Sequence, residues 1–197
     1  MIGASLLYVN VYINIKIYHY FMGIFMDLLN EFGTYGPIIL IFLSLYLLWN
    51  NHNLFFYYIV GLFLNTIFNL VLKGVFKQPR PSEDIKMFHL ALRNGKDMLF
   101  KNGIPNDIFG MPSGHCQSVM FSTIFVFLSL KRKNILYTYL LISFVVMAQR
   151  ILYNYHTVAQ VIVGDITGAL VGLFFYYLAT EKLKGHIREK KDDFGPI

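Results

Sequence analysis

The chain has 197 residues, of which 56% are hydrophobic, 17% aromatic and only 14% charged, with a formal net charge of +6. A soluble domain carries roughly a quarter charged residues, and here the apolar residues come in long uninterrupted runs, the mark of a membrane protein. The single cysteine, Cys116, excludes an internal disulfide framework and argues against a cysteine-based zinc cluster, and the basic residues gather at the ends of apolar runs, which argues against a nucleic-acid partner.

Residues 1–30 open with an alternation, Val9, Val11, Ile13, Ile15 and Ile17 against Asn10, Tyr12, Asn14 and Lys16. That is the period of a strand, yet a lone strand cannot span a bilayer with its backbone unsatisfied. The expectation is an interfacial or partly embedded helix, or an appendage, without a cleavable signal because no small-residue cleavage site follows. Five spanning or near-spanning helices come next. The first runs from about Thr34 to Trp49, opened by Gly36-Pro37, and the second from about Leu54 to Leu72. The third starts near His115 and ends near Leu130, the fourth covers about Ile135 to Gln149, and the fifth about Val158 to Thr180.

Between the second and third helices lies a polar loop, Lys73 to Gly114. Its stretch from Asp84 to Phe100 is amphipathic, with Ile85, Phe88, Leu92 and Leu99 set among Lys86, Arg93, Lys96 and Asp97. It reads as a loop helix, and in the sharper version as one lying on the membrane surface. The fold class is therefore all-α, an integral membrane bundle of about five to six helices with an interfacial loop helix. The expected division is an N-terminal segment 1–30, a membrane domain 31–180 and a basic tail 181–197. Lys131, Arg132 and Lys133 share one side with the tail's Lys182, Lys184, Arg188, Lys190 and Lys191. The positive-inside rule makes that side cytoplasmic, so the opposite helix ends face the lumen or exterior.

Those opposite ends carry three short motifs. Lys73 ends the second helix, and Arg80-Pro81 follows after six residues. Asn65, Asn69 and Lys73 stand at i, i+4 and i+8, a polar stripe that should face the bundle interior. Pro112-Ser113-Gly114-His115 directly precedes a helix, whose N-terminal amides and dipole form an anion site. Arg150 ends the fourth helix and His156 precedes the fifth. Singly, each has an ordinary explanation: a snorkelling lysine, a serine N-cap, a connecting turn. Together they place two histidines, one lysine and two arginines on one face, which is what metal-free phosphoryl removal requires.

In this order and spacing the motifs resemble the type 2 phosphatidic acid phosphatase superfamily of integral membrane lipid phosphatases, over about residues 34–180. The resemblance implies that His156 attacks phosphorus to form a phosphohistidine. It further implies that His115 is the general acid and then the base that activates water. Lys73, Arg80, Arg150 and the Ser113–Gly114 backbone would hold the phosphoryl oxygens. No metal or other cofactor is implied, and the partners are a lipid phosphate or diphosphate substrate and the surrounding membrane lipids.

Two positions depart from the family pattern. Gln149 replaces a serine, a change expected to matter little. Gln160 replaces the aspartate that would orient and charge-stabilise the nucleophilic histidine, as in serine-protease triads. A glutamine carbonyl still accepts from the ring N–H, so Gln160 stays among the catalytic candidates. If the glutamine is only a weaker orienter, Gln160→Asp preserves or raises turnover; a collapse of activity would mean that the pocket is built around the amide. Asp165 is rotated by ~140° from position 160 on a helix, too far for direct rescue, and is expected to make a polar contact to a neighbouring helix. Tyr155-His156-Thr157-Val158-Ala159-Gln160-Val161 looks most like the dolichyl-diphosphatase branch, which makes a polyprenyl diphosphate the favoured substrate. The alternatives are a lipid phosphotransferase on the same scaffold and an inactive lipid-phosphate-binding pseudo-phosphatase. Gly164, Gly168 and Gly172 recur every four residues, spacing that lets helices pack closely.

Overall fold

The computed structural model describes residues 2–101 and 104–181. Among the described residues, six helices form an all-α membrane bundle: α1 (Ile2–Leu48), α2 (His52–Phe76), α3 (Ile85–Arg93), α4 (Gly114–Leu130), α5 (Lys133–Leu152) and α6 (Val158–Thr180), with a short hairpin of β1 (Met98–Lys101) and β2 (Ile104–Asp107) between α3 and α4. Four segments are long and apolar enough to cross a bilayer, Tyr18–Leu48, His52–Phe76, Lys133–Leu152 and Val158–Thr180, and α4 is a shorter apolar helix packed among them. The protein is multi-pass. Its outer faces carry the exposed apolar side chains that lipid requires, among them Phe42, Phe63, Phe144 and Leu170.

The helix starts and stops follow local chemistry. Asn51 caps α2, its side chain accepting the Leu54 amide at 3.2 Å. Thr157 and Gln160 form a reciprocal capping box at the start of α6. Lys77 and Lys131 end α2 and α4 in the left-handed region, where their amides return to the Lys73 and Phe127 carbonyls. The core centres on α4 with contributions from α1, α2, α5 and α6, and at its heart Tyr58, Phe121 and Phe125 pack against one another fully buried, Tyr58 stacked on Phe121 and edge-on to Phe125. Hydroxyl pairs stitch helices across this core: Tyr58 to Ser122 at 2.8 Å, Ser44 to Tyr139 at 3.0 Å and Thr123 to Ser143 at 3.1 Å. In hydrocarbon such pairs satisfy groups that have no water to turn to.

Two expectations are corrected, and the strand-like alternation near the N-terminus proves helical, as expected. The first helix does not open at Thr34, because α1 runs unbroken from Ile2 across position 30 to Leu48 with Pro37 inside it. The Gly36-Pro37 pair is a packing device: a Cβ on Gly36 would collide with the Val146 side chain, and one on Gly33 with Gln149, both on α5. Secondly, the amphipathic stretch does not stay helical to Phe100. Asp84 caps α3 through Lys86 and Met87, but Asn94-Gly95 turns the chain, with Gly95 at φ +62°. Met98 to Lys101 then pair antiparallel with Ile104 to Asp107. The basic tail from Lys182 lies outside the described residues.

Candidate active site

All three motifs meet at one end of the bundle. The α2 stripe is buried as its spacing requires, at Asn65, Asn69 and Lys73. Gln117 of α4 answers it, donating to the Asn65 side chain at 2.9 Å and accepting from Asn69 at 2.7 Å. Asn69 also reaches the Pro112 carbonyl at 3.4 Å. The polar face of α2 thus fixes the loop that leads into α4.

Pro112-Ser113-Gly114-His115 is clamped from the other side by α6. The Ser113 amide donates to the Gln160 carbonyl at 3.0 Å. A Cβ on Gly164 would lie 2.6 Å from the Ser113 carbonyl oxygen, so the glycine is what permits this approach. The glycine stripe continues the contact, Gly168 against the Gln117 backbone and Gly172 against that of Phe121. Ser113 precedes α4 without capping it by its side chain. Its Oγ is buried and, beyond a loose approach of the Cys116 thiol, finds no partner among the described residues. A buried hydroxyl beside first-turn amides that helix geometry leaves unbonded is a donor set suited to an anion.

Arg150 is buried at the end of α5, with its guanidinium 5.1 Å from the centre of the Tyr155 ring. Its Nε is also buried without a hydrogen-bond partner among the described residues. The Arg150 carbonyl accepts the amides of Tyr155 and His156, both at 3.1 Å, so the connection folds back and sets His156 beside the arginine. The charges of Lys73, Arg80 and Arg150 all bear on His156, and those three cations together with His156 bear on His115. The five motif residues form one cluster.

His156 is 95% buried, as its 5% relative exposure records. Burial first, and then the Arg80 guanidinium, hold its imidazole down from 6.5 to about 4, so the ring is neutral near pH 7. Which nitrogen carries the proton follows from Gln160. Its Oε1 accepts the Thr157 amide at 3.2 Å, while its Nε2 donates to the Pro79 carbonyl at 2.9 Å. Both partners are backbone groups of fixed polarity, so the amide cannot be turned over without opposing donor to donor and acceptor to acceptor. Oε1 therefore also faces His156 Nδ1, 3.2 Å away. Nδ1 must be the donor, and the free lone pair sits on Nε2.

Sequence reasoning missed several participants. Asp107 is the main one: its Oδ2 lies 2.8 Å from Lys73 Nζ and 3.5 Å from Arg80. Arg80 also donates to the Asp107 and Phe109 carbonyls at 3.3 and 3.4 Å. Nothing in spacing separates Asp107 from Asp84 or Asp97 in the same loop. The Pro79 carbonyl and the Tyr155 ring were equally unmarked. Gln149 proves to serve α1 rather than the cluster, donating to Asn30 at 2.9 Å and Thr34 at 3.4 Å. Asp165 does not make the expected contact through Oδ1, which is buried without a partner among the described residues.

Fold and site together define a helical membrane protein with a cluster of three cations and two histidines at one end. The PAP2 superfamily profile matches residues 54–184, and the chain belongs to that superfamily. It is 33% identical over 139 residues to a dolichyldiphosphatase of Saccharomyces cerevisiae, covering 66% of this chain and 51% of that one. Dolichyldiphosphatase 1 of Homo sapiens is 27% identical over 139 residues, covering 62% and 52%. The chain thus spans about half the length of these relatives. Among solved structures, a transmembrane PAP2-type phosphatidylglycerolphosphate phosphatase from Bacillus subtilis shares the fold, with a TM-score of 0.52 at 18% identity over 79% of this chain and 80% of that one.

Proposed function

We infer that this protein is a membrane lipid phosphatase that hydrolyses a polyprenyl diphosphate, or a related lipid phosphate, through a phosphohistidine and without a metal. The observation that carries the reading is the fixed tautomer of His156. A neutral ring whose Nδ1–H is held by Gln160 presents an Nε2 lone pair among three cations, and a nucleophile toward phosphorus needs that state. The relatives named dolichyldiphosphatase favour the diphosphate.

In this mechanism Lys73, Arg80, Arg150, Ser113 and the Gly114 backbone form the cradle that holds the transferring phosphoryl group. His156 Nε2 attacks phosphorus, and the bond to the leaving oxygen breaks as His115, which takes up a proton when the bound phosphoryl anion offsets the cations around it, delivers that proton to the leaving oxygen. His115 then takes a proton from water, whose oxygen attacks phosphorus and restores the free His156. Cations and N–H donors carry the charge neutralisation that phosphoryl transfer demands. Among the described residues, the one carboxylate paired with these cations, Asp107, is held by Lys73 and Arg80. The exposed apolar residues Met87 and Leu90 of α3 fit contact with the membrane surface beside the site.

The test is phosphate release from a panel of lipid mono- and diphosphates in chelator, for wild type and His156→Ala. Wild-type release that vanishes in the variant, by about three decades or more as for other covalent nucleophiles, supports the reading. Activity that survives the substitution, or that needs a divalent ion, rejects it.

A further inference from the structure

The cradle already holds an anion, and the chain itself supplies it. Asp107 ends β2 with its carboxylate only 20% exposed and Oδ2 at 2.8 Å from Lys73 and 3.5 Å from Arg80. Its Oδ1 accepts the Phe109 amide at 3.1 Å, so the group is aimed and not merely nearby. The opposite half of the cradle differs: Ser113 Oγ and Arg150 Nε are buried with donor capacity unspent among the described residues. To a lysine or an arginine, a carboxylate oxygen and a phosphoryl oxygen are equivalent partners. The two cannot share these cations at such distances without strong like-charge repulsion.

Resting on the phosphatase reading, we propose that Asp107 is an internal competitor for the phosphoryl seat. Its carboxylate occupies the Lys73–Arg80 half of the cradle until a substrate phosphoryl group displaces it. The strength of that contact then sets the affinity for phosphate anions. Turnover becomes an exchange of anions, in which buried Lys73 and half-buried Arg80 are never left uncompensated at the edge of a low-dielectric site. The returning carboxylate also helps to expel inorganic phosphate, the product that would otherwise remain on three cations.

Displacement has its own signature. When the carboxylate leaves, the cost is the loss of its own contacts, which is the same for every ligand. Removing the charge then strengthens a monoanion and a dianion by one common factor. A carboxylate that stayed in place would repel the dianion more, and its removal would favour the dianion.

The experiment is a phosphorus NMR titration of the full chain in detergent micelles, with inorganic phosphate and, as the monoanion, dimethyl phosphate. Wild type is compared with Asp107→Asn and Asp107→Ser. The serine keeps an oxygen for the Phe109 amide, so a folding defect in one variant does not silence the other. Both variants are expected to bind both probes about ten-fold more tightly, the factor that follows when about a tenth of wild-type molecules have an open seat. Binding that is unchanged or weaker overturns the proposal and makes Asp107 a strut for Lys73 and Arg80. A gain confined to inorganic phosphate overturns displacement as well. The phosphatase reading is judged separately, by His156-dependent phosphate release in the same preparations, so the two failures are distinguishable.

Discussion

A glutamine where the family pattern has an aspartate could signal a lost charge, but the Gln160 amide is used at both ends. Its oxygen holds His156 and caps α6, while its nitrogen ties the Pro79 carbonyl and so the loop that delivers Arg80. Aspartate is one methylene shorter and has no N–H to offer. Gln160→Asp leaves the part-buried Pro79 carbonyl without its partner, at a cost of about 1–3 kcal/mol. Expressed in catalysis, that is a fall of roughly one to two decades in kcat/KM, to be measured on a lipid diphosphate. Turnover at or above the wild-type level would show that the glutamine is only a weaker orienter. The ring it holds makes a second expectation. In the proposed mechanism the active form of His156 is neutral, and burial with Arg80 keeps it so down to about pH 4. The His156-dependent acid limb of kcat/KM, which reports the free enzyme, therefore lies near 4 and not near 6.5, once the ionisation of the substrate is measured and divided out. Stability carries the same sign. Between 6.5 and about 4 the unfolded ring binds the proton and the folded ring does not, so the native state loses stability as pH falls through that window. An acid limb that stays at 6.5 after that division would refute the neutral, buried ring.

At the scale of elements, the α4–α6 contact governs the site, because α4 carries His115 and α6 carries Gln160. Gly164, Gly168 and Gly172 bring α6 against the backbone of α4 at Ser113, Gln117 and Phe121. A side chain at Gly168 has no room, since its Cβ would meet backbone that no rotamer change can move. Gly168→Leu should separate the helices, lower the apparent Tm in detergent by an overpacking cost of about 1–3 kcal/mol and depress phosphatase activity. Gly74→Ala, with nothing within 4 Å, should leave both unchanged. Equal responses from the two variants would remove the close approach from the account. This stripe was legible in the sequence because a four-residue repeat is a local pattern. So were α6, bounded by Thr157 and Glu181, and the five motif residues, whose helix-end positions made their convergence a matter of topology. What escaped is non-local. Pairing between β1 and β2 leaves no helical or charge signature in a ten-residue stretch. Gly36-Pro37 resembled a helix start until α5 was seen against it. Asp107 and the Pro79 carbonyl acquire meaning only from partners 34 and 81 residues away.

The whole molecule has two unlike ends. One gathers Lys73, Arg80, His115, Arg150 and His156; at the other, Asn53 of α2 donates to the Ala179 carbonyl of α6 and the basic turn Lys131-Arg132-Lys133 joins α4 to α5. If the positive-inside rule orients the bundle, the basic turn is cytoplasmic and the cradle opens to the lumen or exterior. The native thiol is buried, so Cys116→Ser gives a silent background for single-cysteine labelling with a membrane-impermeant maleimide. Ser82 and Asn134 are exposed on the two sides, and neither belongs to the cradle or to the charges that set orientation. In sealed vesicles of known sidedness, Ser82→Cys should label only from the luminal or exterior face, and Asn134→Cys only from the cytoplasmic face. The reverse pattern would place the chemistry in the cytoplasm. Sidedness decides more than topology, because a phosphoryl group on a long lipid does not cross the bilayer unaided: its burial in hydrocarbon carries the full desolvation cost of its charges. With the cradle on the luminal or exterior side, the substrate is the population of lipid phosphates already in that leaflet, and the phosphate is released into that compartment.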